Sequence, residues 1–289
     1  RATRIGLPLA SWLLALGSGR AAVVIYLALC WALAIAGVYV VARWLEDEGR
    51  SPLRAAPLAV SAGVVASLLR SLPDAAAAGL LVLGVWLGAR RGRLAVPALG
   101  LAALARETSL AASLALAVTE ARQRRFARAA AVALAPAALV AGWLLWLRHQ
   151  VPPPWAMPRA FGPPLAWLWP KLASGVNGRE AAGLVAVAVS LAAPLALLGR
   201  RLRRAGAAEV AFLAYAAMAW ALGDAVYQES WAYGRALVAL PFLAVPLAER
   251  EGPGWRRTLL RAVVWAHAAL GAAMIPGSLS AAVREALGR

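Results

Sequence analysis

In the stretch LGLAALARETSLAASLALAV, residues 99–118, an arginine and a glutamate, Arg106 and Glu107, sit side by side in an almost unbroken apolar run. Other ionisable residues border or interrupt apolar runs in the same manner. They are Arg70 and Asp74 in RSLPD, Asp224 and Glu229 in DAVYQES, Arg235 two residues after Tyr233 in WAYGRAL, and Arg4, with Arg1, ahead of the first apolar stretch. A charged side chain in hydrocarbon costs about 2.5–3.5 kcal/mol on insertion scales, so such residues normally face a bundle interior or a wet cavity. The chemistry on offer is specific. Guanidinium forks hold phosphate oxygens bidentately, and a carboxylate can act as general base toward a hydroxyl. Together they suit a substrate that carries phosphate beside a neutral, hydroxyl-rich group. Each group also has a plainer account. Arg106 and Glu107 could form an ion pair that locks two helices, and Arg70 and Asp74 could mark an interfacial turn. Asp224 and Glu229 could be ordinary turn acids, and Arg235 could snorkel to the interface.

The elements that position these residues follow from composition. Of 289 residues, 62% are hydrophobic, the mean hydropathy is +0.69, and the apolar residues fall in long runs. Runs of this kind are the mark of membrane-spanning helices, and hydrocarbon leaves backbone polar groups no partner outside a helix or a closed barrel. The alternation of a membrane barrel is absent. The chain is therefore expected to be an all-α, polytopic integral membrane protein with about 8–10 transmembrane or half-membrane helices, in a single transmembrane domain over 1–289. A net charge of +17 would ordinarily raise nucleic acid as a partner. Here the basic residues cluster in the short breaks RRGR (90–93), ARQRRFAR (121–128), GRRLRR (199–204) and the 249–257 stretch. That is the positive-inside pattern of cytoplasmic loops, not a nucleic-acid surface. The one cysteine, Cys30, allows no internal disulfide.

Taking the basic breaks as cytoplasmic orients the runs. Between 54 and 90 the chain leaves and returns in two runs separated by RSLPD. Between 93 and 121 it must do the same in about 27 residues, too few for two spans of about 20 residues each. Two half-length helices, 94–105 and 108–119, with Arg106 and Glu107 at the apex satisfy the count. A single long tilted helix is the competing solution, with the flanking basic breaks on opposite sides. Residues 1–20 are expected to form an external interfacial segment. Residues 148–180, rich in Pro and Trp, are expected to form an external cap, because proline fixes φ and tryptophan favours the interface. On this topology every polar residue named above falls in the external half.

The order of RATRIGLPLASWLLALG, LLRSLPDAAAAGLL, LAALARETSLAA and ESWAYGRALVALPFL resembles membrane glycosyltransferases of the GT-C superfamily. The nearest likeness is to bacterial glycosyltransferase-like proteins of cell-surface glycopolymer formation. Arg4 and Pro8 match the arginine and proline that lead out of the first external loop, and Asp74 matches an aspartate that opens a later helix. Arg106, Glu107 and Thr108 match an Arg-Glu-Thr, and Trp231, Tyr233 and Arg235 match an aromatic-Tyr-x-Arg. The resemblance implies a GT-C-like fold in the bacterial cytoplasmic (inner) membrane, multi-pass. It implies transfer of a hexosyl- or mannosyl-type sugar from a polyprenyl-phosphate donor to a cell-surface glycan or glycolipid on the external face. The phosphate would lie near Arg106 and Arg235, Glu107 would orient Arg106 or contact a sugar hydroxyl, and Asp74 would bind the acceptor or a divalent metal ion. No cofactor is otherwise implied, and the partners are membrane lipids and the lipid-linked donor. The family's acidic catalytic motif lies in a first external loop that has no counterpart here, so the chain is expected to lack the first helix, that loop and the catalytic base, and to be inactive alone. The alternatives are a secondary transporter or lipid-linked glycan exporter, which also uses short hairpin helices and buried charges, and a non-catalytic membrane assembly subunit.

Overall fold

The computed structural model describes residues 4–150, 162–163, 165–166, 168–173, 177–197, 205–227 and 230–286. Among these, every element is a helix. α1 (Gly6–Leu14) leads into α2 (Gly19–Asp47), followed by a 3-10 segment (Pro52–Val60), α3 (Ala62–Leu69), α4 (Asp74–Ala89) and α5 (Ala95–Ala105). After a 3-10 turn at Glu107–Ser109 come α6 (Leu110–Arg122), α7 (Phe126–Gln150), α8 (Leu168–Ala173) and α9 (Gly178–Ala192), which runs on as a 3-10 segment to Leu197. α10 (Ala207–Ala221), α11 (Asp224–Tyr227), α12 (Ser230–Ala236), α13 (Ala239–Arg250) and α14 (Trp255–Ala286) complete the described elements. Much of the expected external cap, including 151–161 and 174–176, lies outside the described residues.

Among the described residues, four helices are long and apolar enough to cross a membrane: Gly19–Asp47, Phe126–Gln150, Gly178–Leu197 and Trp255–Pro276. Pro52–Val60 and Ala62–Leu69 make a fifth if counted as one span, bent by 49°. Pro57 lies in the first half of that pair, and Ser61 at the junction is extended, which interrupts the helical ladder. Gly271 of α14 packs directly against the Val60 carbonyl at the bend. The remaining apolar runs form shorter helices, among them α4, α5 and α10. So the apolar runs of the sequence do not become equal spans. Several break inside the bundle, as run 232–248 does between α12 and α13.

α4 is the central element. From Asp74 through Val82 it is buried without interruption, as expected of a helix that is apolar all round. Small residues permit this. Gly79 packs on the Leu33 carbonyl and on Gly37 of α2, which brings the two backbones together. The outward faces carry large apolar side chains, Val24, Trp31, Ile35 and Tyr39 on α2 and Leu134, Leu145 and Trp146 on α7.

Run 94–119 adopts the hairpin. α5 ends at Arg106, whose backbone is extended (φ −157°, ψ 116°), and α6 returns. Leu99 of α5 packs on Gly84 and Leu116 of α6 on Gly88, while Arg128, past the end of α6, donates to the Gly88 carbonyl at 3.4 Å. Both feet of the hairpin therefore stand at the C-terminal end of α4 and its apex stands at the other. The apex backbone is satisfied inside the protein: Tyr215 Oη of α10 donates to the Thr108 carbonyl at 2.9 Å. Non-helical backbone at membrane depth requires such partners.

The two ends of the bundle differ in character. At one end lie Asp74 and the hairpin apex. At the other, ion pairs tie the elements together: Arg90 with Asp47, Arg250 with Glu48 and Glu209, Glu120 with Arg125 and Arg128, and Glu249 with Arg54, Arg257 and Arg261.

Candidate functional site

Asp74 is the first residue of α4 and its side chain is completely enclosed. The turn before it is set by Ser67 of α3, whose hydroxyl accepts from the Ala75 N–H at 3.2 Å, satisfying one of the amide donors that a helix start leaves open. Three guanidiniums from three other parts of the chain converge on the Asp74 carboxylate. Arg4 Nη1 lies 3.2 Å and Arg106 Nη1 2.9 Å from Oδ1, and Arg235 Nε lies 2.6 Å from Oδ2. Arg106 Nη1 also donates to the Arg235 carbonyl at 2.6 Å, which ties the hairpin apex to α12. Arg106 is itself buried, and its Nε has no hydrogen-bond partner.

Glu107 completes the group. It pairs with Arg4 (Oε2 to Nε, 3.7 Å) and not with Arg106, and its side chain is 46% exposed. The reason lies in the backbone. Arg106 is extended, so the side chains of 106 and 107 diverge. Arg106 turns inward to Asp74 and Glu107 turns outward. The expectation that Glu107 orients Arg106 is corrected accordingly: Glu107 orients Arg4.

The expected role of Asp74 changes as well. With no exposure and both oxygens engaged by arginines, it reaches a ligand only through the guanidiniums it holds. Among the described residues, no group of three or more His, Cys, Asp or Glu side chains stands together to hold a metal ion. Three guanidiniums face two carboxylates, which leaves one positive charge in surroundings where water screens it little.

The other candidate residues are placed differently. Arg70 is exposed in the turn between α3 and α4, at the same end of the bundle. Asp224 opens α11, but its side chain lies outside the described set, and Glu229 lies outside the described residues altogether. Tyr233 is buried on the α9 side of α12, where its hydroxyl lies 3.4 Å from Glu180 Oε2, and Lys171 lies 2.6 Å from the same oxygen. Tyr233 thus belongs to a second polar group beside α9 rather than to the Asp74 cluster. Glu180 and Lys171 were not among the residues singled out in the sequence. The signal for Glu180 was NGRE: Asn177 accepts from the Glu180 N–H at 2.9 Å, the first half of a capping box, which marks a helix start with an acid in its first turn.

No protein-family model, no curated protein and no solved structure matches this chain.

Proposed function

We propose that the Asp74 cluster is the phosphate-binding part of a GT-C-like glycosyltransferase that takes a sugar from a polyprenyl-phosphate donor at the external face of a membrane. The observation that carries the reading is the meeting of Arg4, Arg106 and Arg235 on one enclosed carboxylate. In the reaction an acceptor hydroxyl oxygen attacks the anomeric carbon and the carbon–oxygen bond to the lipid phosphate breaks. The bonding pair leaves on the phosphate, and the hydroxyl proton passes to a base. Charge therefore grows on the departing phosphate, and pre-oriented guanidiniums stabilise that growth. Asp74 keeps the three cations at fixed positions despite their mutual repulsion. Glu107, half exposed beside Arg4, would contact a sugar hydroxyl.

The test is turnover of polyprenyl-phosphate hexoses by membranes that contain the full-length protein or its Arg106→Ala variant. The expected result is loss of sugar transfer with normal insertion. Unchanged transfer by Arg106→Ala would remove the assignment.

A lipid-linked glycan exporter is the second reading, favoured by the bent Pro52–Leu69 pair and the half-length hairpin. It predicts movement of the intact lipid-linked glycan between leaflets, with the sugar–phosphate bond unbroken.

A further inference from the structure

The opposite end of the bundle carries a second carboxylate held by three arginines. Glu249, 3% exposed at the end of α13, accepts from Arg257 Nη2 at 2.8 Å and from Arg261 Nε and Nη2 at 3.1 and 2.8 Å, and it also pairs with Arg54. Three guanidiniums share a single carboxylate, and Arg50 adds further repulsion to Arg54. Arg54 and Arg261 keep about two-fifths of their side chains exposed (40% and 41%). The surplus cations therefore stand at a surface that can be reached.

Directly beside them opens a groove of about 500 Å³, with Arg54, Glu249 and Arg261 at its polar rim and Val245, Val264 and Trp265 among its apolar walls. A second groove of about 520 Å³ lies on the other face of the Pro52–Val60 segment. The two share Leu53 and Ala56. The second runs along α2 from Ala42 to Trp31, a rise of about 16 Å at 1.5 Å per helical residue. Two apolar channels thus meet beneath one cationic rim.

We infer that this end binds an anionic diacyl phospholipid, with the phosphate on Arg54 and Arg261 and one acyl chain on each side of the Pro52–Val60 segment. Charge complementarity fixes the head: a phosphate offsets the excess of guanidinium over carboxylate. The paired apolar grooves fix the body as a two-chain amphiphile, not a free phosphate. The basic breaks put this end on the cytoplasmic side, where basic pockets between helices meet anionic headgroups. The site is separate from the Asp74 cluster and stands or falls independently of the glycosyltransferase reading.

The test is native mass spectrometry of the full chain in detergent micelles doped with phosphatidylglycerol or phosphatidylcholine. Phosphatidylglycerol should be retained about tenfold or more over phosphatidylcholine, and that preference should vanish in the Arg54→Gln/Arg261→Gln double variant. Ala56→Trp fills the shared floor at an exposed position and leaves every guanidinium in place. It should release the lipid as well, and it decides the matter if the double variant does not fold. Inorganic phosphate at millimolar concentration should not displace the lipid. Equal retention of the two lipids, retention undisturbed by Ala56→Trp, or displacement by inorganic phosphate alone would overturn the inference.

Discussion

Arg106 Nη1 lies 2.9 Å from Asp74 Oδ1, and each of the two residues stands at a helix terminus. Asp74 opens α4, whose N-terminal end favours negative charge, and Arg106 follows the last turn of α5, whose C-terminal end favours positive charge. α4 and α5 run in opposite directions and pack against each other, so the favourable ends of the two dipoles coincide. The break at Arg106 is what makes the meeting possible. A helix that continued through 106 would carry the guanidinium past the tip of α4.

Because both Asp74 oxygens are used, Asp74→Asn should act first on stability. It leaves three guanidiniums crowded around a neutral amide. Removal of one partner from a buried charged group typically costs about 3–5 kcal/mol. Thermal unfolding of the detergent-solubilised protein should show a marked drop in midpoint, and a second substitution, Arg4→Gln, should recover part of it by lowering the excess positive charge. A midpoint unchanged by Asp74→Asn would show that the arginines do not depend on this carboxylate.

Arg106→Lys separates the ion pair from the fork. A single nitrogen of Arg106, Nη1, contacts both Asp74 and the Arg235 carbonyl. An ammonium can replace that nitrogen but cannot present a planar pair of donors to phosphate. Made in the full-length protein, the variant should extract and unfold like the unmodified one while its sugar transfer falls by about tenfold or more. Full transfer with an intact fold would reduce Arg106 to a structural tie between the hairpin and α12.

The hairpin was legible because it is a matter of counting: the stretch between two basic breaks is too short for two spans. The grouping of Asp74, Arg106 and Arg235 at one end followed from the same orientation, since only the basic breaks were needed to assign it, while Arg4 joined them only through the expected external placement of residues 1–20. Which atoms meet was not legible. Arg106 and Glu107 are adjacent in sequence and look like a pair, yet the extended backbone at 106 sends them to different partners. The Glu249 group was hidden for a different reason. Its arginines sit among loop cations that the positive-inside pattern already explains, so nothing in the sequence set Arg54, Arg257 and Arg261 apart from their neighbours. The bend at Ser61 was likewise invisible, because Val-Ser-Ala within an apolar run gives no strong break.

Close packing of α2 on α4 carries its own prediction. A Cβ on Gly79 would collide with the Leu33 carbonyl, a backbone atom that cannot rotate away. Gly79→Ala should therefore destabilise the protein by about 1–3 kcal/mol. Because α4 would shift against α2, the Asp74 cluster should loosen with it. Gly142→Ala on α7, where nothing lies within 4 Å, supplies the contrast: it should be neutral or stabilising by up to about 1 kcal/mol. Equal effects of the two substitutions, read as unfolding midpoints, would contradict the backbone contact.

Sidedness of the hairpin can be read directly. With Cys30 replaced by Ala, single cysteines at Arg93, Glu107 and Gln123 report the two feet and the apex, and all three positions are exposed or half exposed. A membrane-impermeant maleimide applied to intact cells should label Glu107→Cys and leave Arg93→Cys and Gln123→Cys unmodified. Inverted vesicles should reverse the pattern. The logic rests on the structure placing residues 93 and 123 at the C-terminal end of α4, where Arg128 reaches the Gly88 carbonyl, and the apex beside Asp74. A single tilted helix would instead bring Arg93→Cys and Gln123→Cys out on opposite sides. In that arrangement Arg106 would sit at mid-bilayer, far from the tip of α4, and the three guanidiniums could not share one carboxylate.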